Sequence, residues 1–75
     1  MVSSAGAERE HLAQVDRHIA ERRAHITRQR ESIQDLLQNG HDIESALSML
    51  HLLQGALRSF ELHRVLVIKR LTDAG

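Results

Sequence analysis

Asn39-Gly40-His41-Asp42 sets a helix stop directly before a helix start near the middle of a 75-residue chain, and that junction narrows the fold more than any other stretch. Gly40 can take the left-handed conformation that closes a helix C-terminus without the steric penalty a Cβ brings. Asp42 can accept hydrogen bonds from the amides of the first turn that follows. The predicted fold is an all-α antiparallel helical hairpin, with a helix over about 7–38, a turn at 39–42 built on Gly40 and Asp42, and a second helix over about 43–72. Residues 1–6 contain Ser3, Ser4 and Gly6 and read as a flexible N-terminal tail, with Ser4 a candidate N-cap, ahead of a hairpin domain at 7–75.

The first helix has a heptad seam. Leu12, Ile19, Ile26 and Ile33 recur every seven residues and fill one heptad position, a. Its companion d positions are Val15, Arg22, Gln29 and Leu36, so two long polar side chains interrupt the seam. Glu8 and Glu10 near the start of this helix suit the positive end of its dipole.

The second helix is far more apolar. Ile43, Ala46, Leu47, Leu50, Leu53, Leu57, Phe60, Val67, Ile68 and Leu71 make its seam, and Met49, Leu52 and Ala56 widen the face. Asp42 and Glu44 at its start, and Lys69 and Arg70 towards its end, agree with the helix dipole. Between Ser45 and Leu57 no residue is charged. A hairpin hides one stripe of a helix, roughly 100° wide, so the remainder forms an apolar patch of the kind that marks an interface. Met49, Leu52, Leu53, Ala56 and Phe60 are the expected dimer-interface residues, and a two-fold pairing of the patch with itself gives a four-helix bundle.

Folding the helices about the turn suggests a register. Ile33 then faces Leu50, Ile26 faces Leu57, Leu36 faces Leu47, Val15 faces Ile68 and Leu12 faces Leu71. The same alignment sets Gln29 opposite Gln54 and Arg22 opposite Glu61, an interhelix polar layer where the seams break. Arg64 falls against Ile19 and has to reach out to Asp16 or solvent, burying only its stem.

Size makes outside support for so small a core expected. Ordering a chain of this length costs on the order of 110 kcal/mol, which one small core seldom exceeds comfortably. The sequence has no cysteine, which removes disulfides, thiolate metal sites and thiol catalysis. Self-association is the remaining source of stability. Ten basic residues balance ten acidic ones, so no net field draws the chain onto nucleic acid or an anionic membrane. No signal-peptide core and no run of membrane-spanning length is present in the sequence, and a cytoplasmic protein is expected.

Three constellations could carry chemistry. His11, His18 and His25 repeat every seven residues, but such residues lie about 10.5 Å apart along one helix, too far to share an ion. Glu8 and His11 form one Glu-x-x-His in the first turns, where a bundle di-iron site needs two such motifs and two more carboxylates. Metal and cofactor sites are therefore not expected, and the histidines read as solvated or seam-flanking. The basic segment from Arg22 to Arg30 could contact nucleic acid, but Phe60 is the one aromatic residue, and base-stacking surfaces are missing. No nucleophile or carboxylate pair stands out by spacing, and no catalytic residue is assigned.

Arg28-Gln29, Ile33, Leu36, Gly40-His41-Asp42, Ala46, Leu50, Leu57 and Arg64 together resemble short proteins of rhizobium-like alphaproteobacteria, over the chain from about His18 onward. That resemblance implies a bacterial helical hairpin and carries over no functional residue. The expected function is a non-enzymatic structural or protein-interaction module that self-associates as a homodimer. The alternative is a small regulator that binds nucleic acid through the Arg22–Arg30 segment. No small-molecule substrate is expected.

Overall fold

The computed structural model describes residues 4–74, and the side chains of 6–73. It is a hairpin of two helices, α1 (Ser4–Gln38) and α2 (Glu44–Ala74), that pack on one another in a rod 58 × 15 × 14 Å. The sequence has no proline, so nothing interrupts the 35- and 31-residue ladders.

The reversal is built as the sequence predicts. Gly40 has φ 73°, and it is the one described residue with a left-handed backbone. The Gly40 amide donates to the Leu37 carbonyl at 3.1 Å and the His41 amide to the Leu36 carbonyl at 2.9 Å, the paired bonds of a Schellman ending. The Asn39 side-chain amide adds a bond to the Asp35 carbonyl at 2.9 Å. Asp42 then accepts the Glu44 amide at 3.0 Å and caps α2. Orphan carbonyls of one helix and an orphan amide of the next are thus satisfied within a few residues.

Both helices run longer than their spacing predicts. α1 begins at Ser4, so Ser4, Ala5 and Gly6 are helical rather than tail; residues 1–3 and the Ser4 side chain, the candidate cap, lie outside the described set. One glycine costs only about 1 kcal/mol relative to alanine, which the neighbouring Ala5, Ala7 and Glu8 tolerate in a helix. The extension moves the dipole-matching charges inward. Glu8 and Glu10 are no longer in the first turn of α1, and Lys69 and Arg70 precede the last turn of α2; Glu44 in the first turn of α2 and Asp42 capping it keep their terminal places.

The core is one narrow line. Val15, Ile19, Ile26 and Ile33 of α1 and Leu53 and Val67 of α2 are buried, and no polar residue among those described joins them. On α2 the inward line Ala46, Leu50, Leu53, Leu57, Phe60, Arg64, Val67, Leu71 alternates steps of four and three, and each member is buried or half-buried. Leu47, assigned to the seam by sequence, faces outward at 36% exposure, and Leu37 is 57% exposed.

The cross-helix contacts follow the proposed register only in part. Phe60 stacks on His18, with ring centres 5.2 Å apart, where the alignment set it against Arg23; Gln29 reaches the Ala46 carbonyl at 3.2 Å rather than Gln54. Other contacts stay near the proposed register: Glu61 meets Arg23, next to its proposed partner Arg22, and Arg64 meets Asp16, one turn from Ile19.

Replacing Gly40 by alanine should lower stability by about 1–2 kcal/mol, because no atom crowds a Cβ there and the penalty is purely conformational. Asp42→Ala should cost about 0.5–2 kcal/mol through loss of the cap. Chemical denaturation of the two variants checks both; a Gly40→Ala chain as stable as the parent contradicts the turn.

Candidate functional site

Two faces of the hairpin carry the residues singled out from sequence, and the first is the line of polar side chains along the helix interface. Gln29 is half-buried, and its side-chain amide crosses to the α2 backbone at Ala46. Gln54 instead lines a groove with Arg23, Arg30 and Arg58. Glu61 does not pair with Arg22: its salt bridge is to Arg23, at 3.7 Å, with both side chains about half exposed. Arg23 is exposed on the rim, within reach of Glu61, while Arg22 stays half-buried at its d position. Arg64 binds Asp16, the outward reach that the alignment required of it. Exposed pairs of this kind are worth about 0–1 kcal/mol, so they set register more than stability.

The outward face of α2 is the second. Leu53 is only 5% exposed and belongs to the intrachain core, which removes it from the expected interface. Phe60 is half-buried and committed to His18, and Ala56 is half-buried. Met49 and Leu52 do face solvent, at 45% and 70%, and Leu62, Val65 and Leu66 join them at 67%, 61% and 51%. Leu52, Gly55, Ser59, Leu62, Leu66 and Lys69 repeat the steps of three and four that the core line shows, offset around the helix. α2 therefore carries two heptad lines, of which α1 covers one. The second line was readable in the sequence, but its small members Gly55 and Ser59 hid it from a search for large apolar residues.

The Arg22–Arg30 segment is divided by the fold. Arg23 and Arg30 line one groove together with Arg58 of α2. A neighbouring groove is edged by both interhelix salt bridges, Asp16–Arg64 and Arg23–Glu61, so its charges already compensate one another.

Among the histidines, His18 is exposed, with Nδ1 3.9 Å from Glu21, and His25 is half-buried. His11 meets a partner on the other helix that no spacing in the sequence reveals. Its Nε2 lies 3.0 Å from Nε2 of His63, with ring centres 4.7 Å apart and planes at 59°. A heptad column speaks for one helix alone, and a partner on the other follows from the offset between them.

No protein-family model, curated protein or solved structure matches the chain. Among the described residues no helix is long and apolar enough to cross a membrane. The fold itself defines the class: a two-helix antiparallel hairpin with an uncovered apolar line on its second helix.

Gln29→Ala should lower stability by about 0.5–1.5 kcal/mol, the net worth of one hydrogen bond, whereas Gln54→Ala should stay within about 0.5 kcal/mol of the parent. Denaturant midpoints of the two variants compare them directly. Equal losses would mean that Gln29 and Gln54 act as the pair that the sequence alignment drew.

Proposed function

We propose that this protein is a non-enzymatic structural and protein-interaction module, a helical hairpin that pairs with a second copy through the outward line of α2 to make a four-helix bundle. The observation that carries this is surface. A compact folded monomer of 8.5 kDa exposes about 4,700 Å² by the usual size scaling, and this chain exposes 5705 Å². The excess, on the order of 1,000 Å², is the scale of what each partner gives up in a stable interface, roughly 800 Å². A rod with a long face of 58 × 15 Å has room for such a contact along one side.

Chemistry agrees with geometry along that side. Leu52, Leu62 and Leu66 supply apolar area, and Gly55 and Ser59 between them let two helix backbones come close. A Cβ placed on Gly55 would meet only the flexible end of Arg58, at 4.0 Å, so nothing within the chain requires glycine there. An antiparallel two-fold centred near Gly55–Ser59 sets Leu52 of one copy beside Leu62 or Leu66 of the other.

A second reading, a small regulator that binds nucleic acid through the Arg22–Arg30 segment, draws on the groove shared by Arg23, Arg30 and Arg58. Glu61 engages Arg23, which leaves fewer cations for phosphate. Nucleic-acid binding that fell steeply with salt would favour this reading over the first.

The two-copy bundle makes a separable prediction. In a lone hairpin Leu52→Glu and Leu62→Glu change exposed positions and should alter stability by no more than about 0.5 kcal/mol. In the bundle each loses a buried leucine, about 1.5–3 kcal/mol, and strands a carboxylate in an apolar contact. Thermal unfolding should therefore show a large drop for both variants and a midpoint that rises with concentration in the parent. Leu53→Glu is unsuitable, because it breaks the core in either case. Neutral Leu52→Glu and Leu62→Glu chains with a concentration-independent midpoint would remove the bundle.

A further inference from the structure

The His11–His63 pair joins the two helices far from the turn, and it has the spacing of two ligands on one ion. Nitrogens bound at about 2.0–2.1 Å to one ion lie about 3.3–3.4 Å apart in a tetrahedral site and about 2.8–3.0 Å apart at neighbouring positions of an octahedral one, the arrangement that two histidines and several waters would give. The two Nε2 atoms are 3.0 Å apart. Their ring centres, at 4.7 Å, are closer than a straight end-to-end N–H···N bond of that length would hold them, so the bond is bent and both lone pairs reach a shared point by small ring rotations. Both residues are half-buried, which leaves solvent access for an ion and its waters.

A second observation points to a cation. Glu8 lies one turn before His11 on α1, hence on the same side of the helix, and its Oε2 is buried with no hydrogen-bond partner. A carboxylate oxygen in that state is costly until a proton donor or a cation reaches it. Among the described residues no group of three or more His, Cys, Asp or Glu forms a ligand set, so an ion held by this pair would have two protein ligands and take the others from water.

We propose that His11 and His63 form a two-histidine site for a divalent late first-row metal ion, of the zinc, nickel or copper type, which clamps the open end of the hairpin. Imidazole nitrogen suits these ions, whereas magnesium and calcium demand oxygen ligands. In the hydrogen-bonded pair one ring carries its proton on Nε2 and the other accepts. On binding, that proton passes through water to Nδ1 of the same ring, both Nε2 lone pairs face the ion, and no net proton leaves the neutral rings. The site lies within one chain and does not depend on the two-copy bundle.

Zinc chloride titrated calorimetrically into the full chain tests it. The parent should take up one Zn²⁺ per chain with a rise in thermal midpoint that EDTA reverses, and with no increase in particle mass. His11→Gln and His63→Gln should each weaken uptake at least about tenfold, since the second ligand acts at the high effective concentration that the hairpin imposes. The double variant should lose no more than either single one, and His25→Gln should bind as the parent does. If either single variant fails to fold, ring nitrogen shifts in the parent decide, because Zn²⁺ should move Nε2 of His11 and His63 and of no other histidine. Absence of saturable uptake, uptake indifferent to His63→Gln, or shifts centred on other histidines would overturn the site.

Discussion

Two helices can hide only one stripe of each other, and most features of this molecule follow from that geometric limit. α1 matches it: a single line of Leu12, Val15, Ile19, Ile26, Ile33 and Leu36, broken by Arg22 and Gln29, is all it has to bury. α2 exceeds it. Its inward line from Ala46 to Leu71 is covered by α1, and a second line through Leu52, Leu62 and Leu66 remains on the surface with Val65 beside it. Hydrophobic burial is the main favourable term in folding, so in a small chain with a one-residue-wide core an uncovered apolar line is the place where further burial would add most.

The turn was legible in the sequence because its chemistry is local. Gly40 needs only its own backbone freedom and Asp42 only the next few amides, and the structure shows both acting as their residue types require. The a and d lines were legible for the same reason, since a period of seven is visible without knowing what it packs on. Register was not. It is set by contacts between the helices that no local pattern reveals: Phe60 lies on His18, Gln29 reaches the Ala46 carbonyl, and Glu61 takes Arg23 rather than its neighbour Arg22. Arg64 was an exception, reaching Asp16 as expected, because a long side chain at a rim absorbs a small offset.

The same dependence explains the rest of the candidate site. Leu53 was placed at an outer interface because apolar residues surround almost the whole of α2 between Ser45 and Leu57, and sequence alone does not say which of them α1 takes. Leu62 and Leu66 do not stand out as a continuation of Leu52 because the small residues Gly55 and Ser59 separate them from it. His11 and His63 are 52 positions apart, and no spacing rule within either helix brings them together. Interactions between helices, unlike caps and heptads, become visible only with the offset between them.

Light scattering of the unmodified chain at micromolar concentration tests the central claim most directly. Pairing through the second line of α2 predicts a particle of twice the 8.5 kDa chain mass, with helical content retained. A folded, helical particle of 8.5 kDa would contradict it, because the line through Leu52, Leu62 and Leu66 would then be stable in water with nothing covering it.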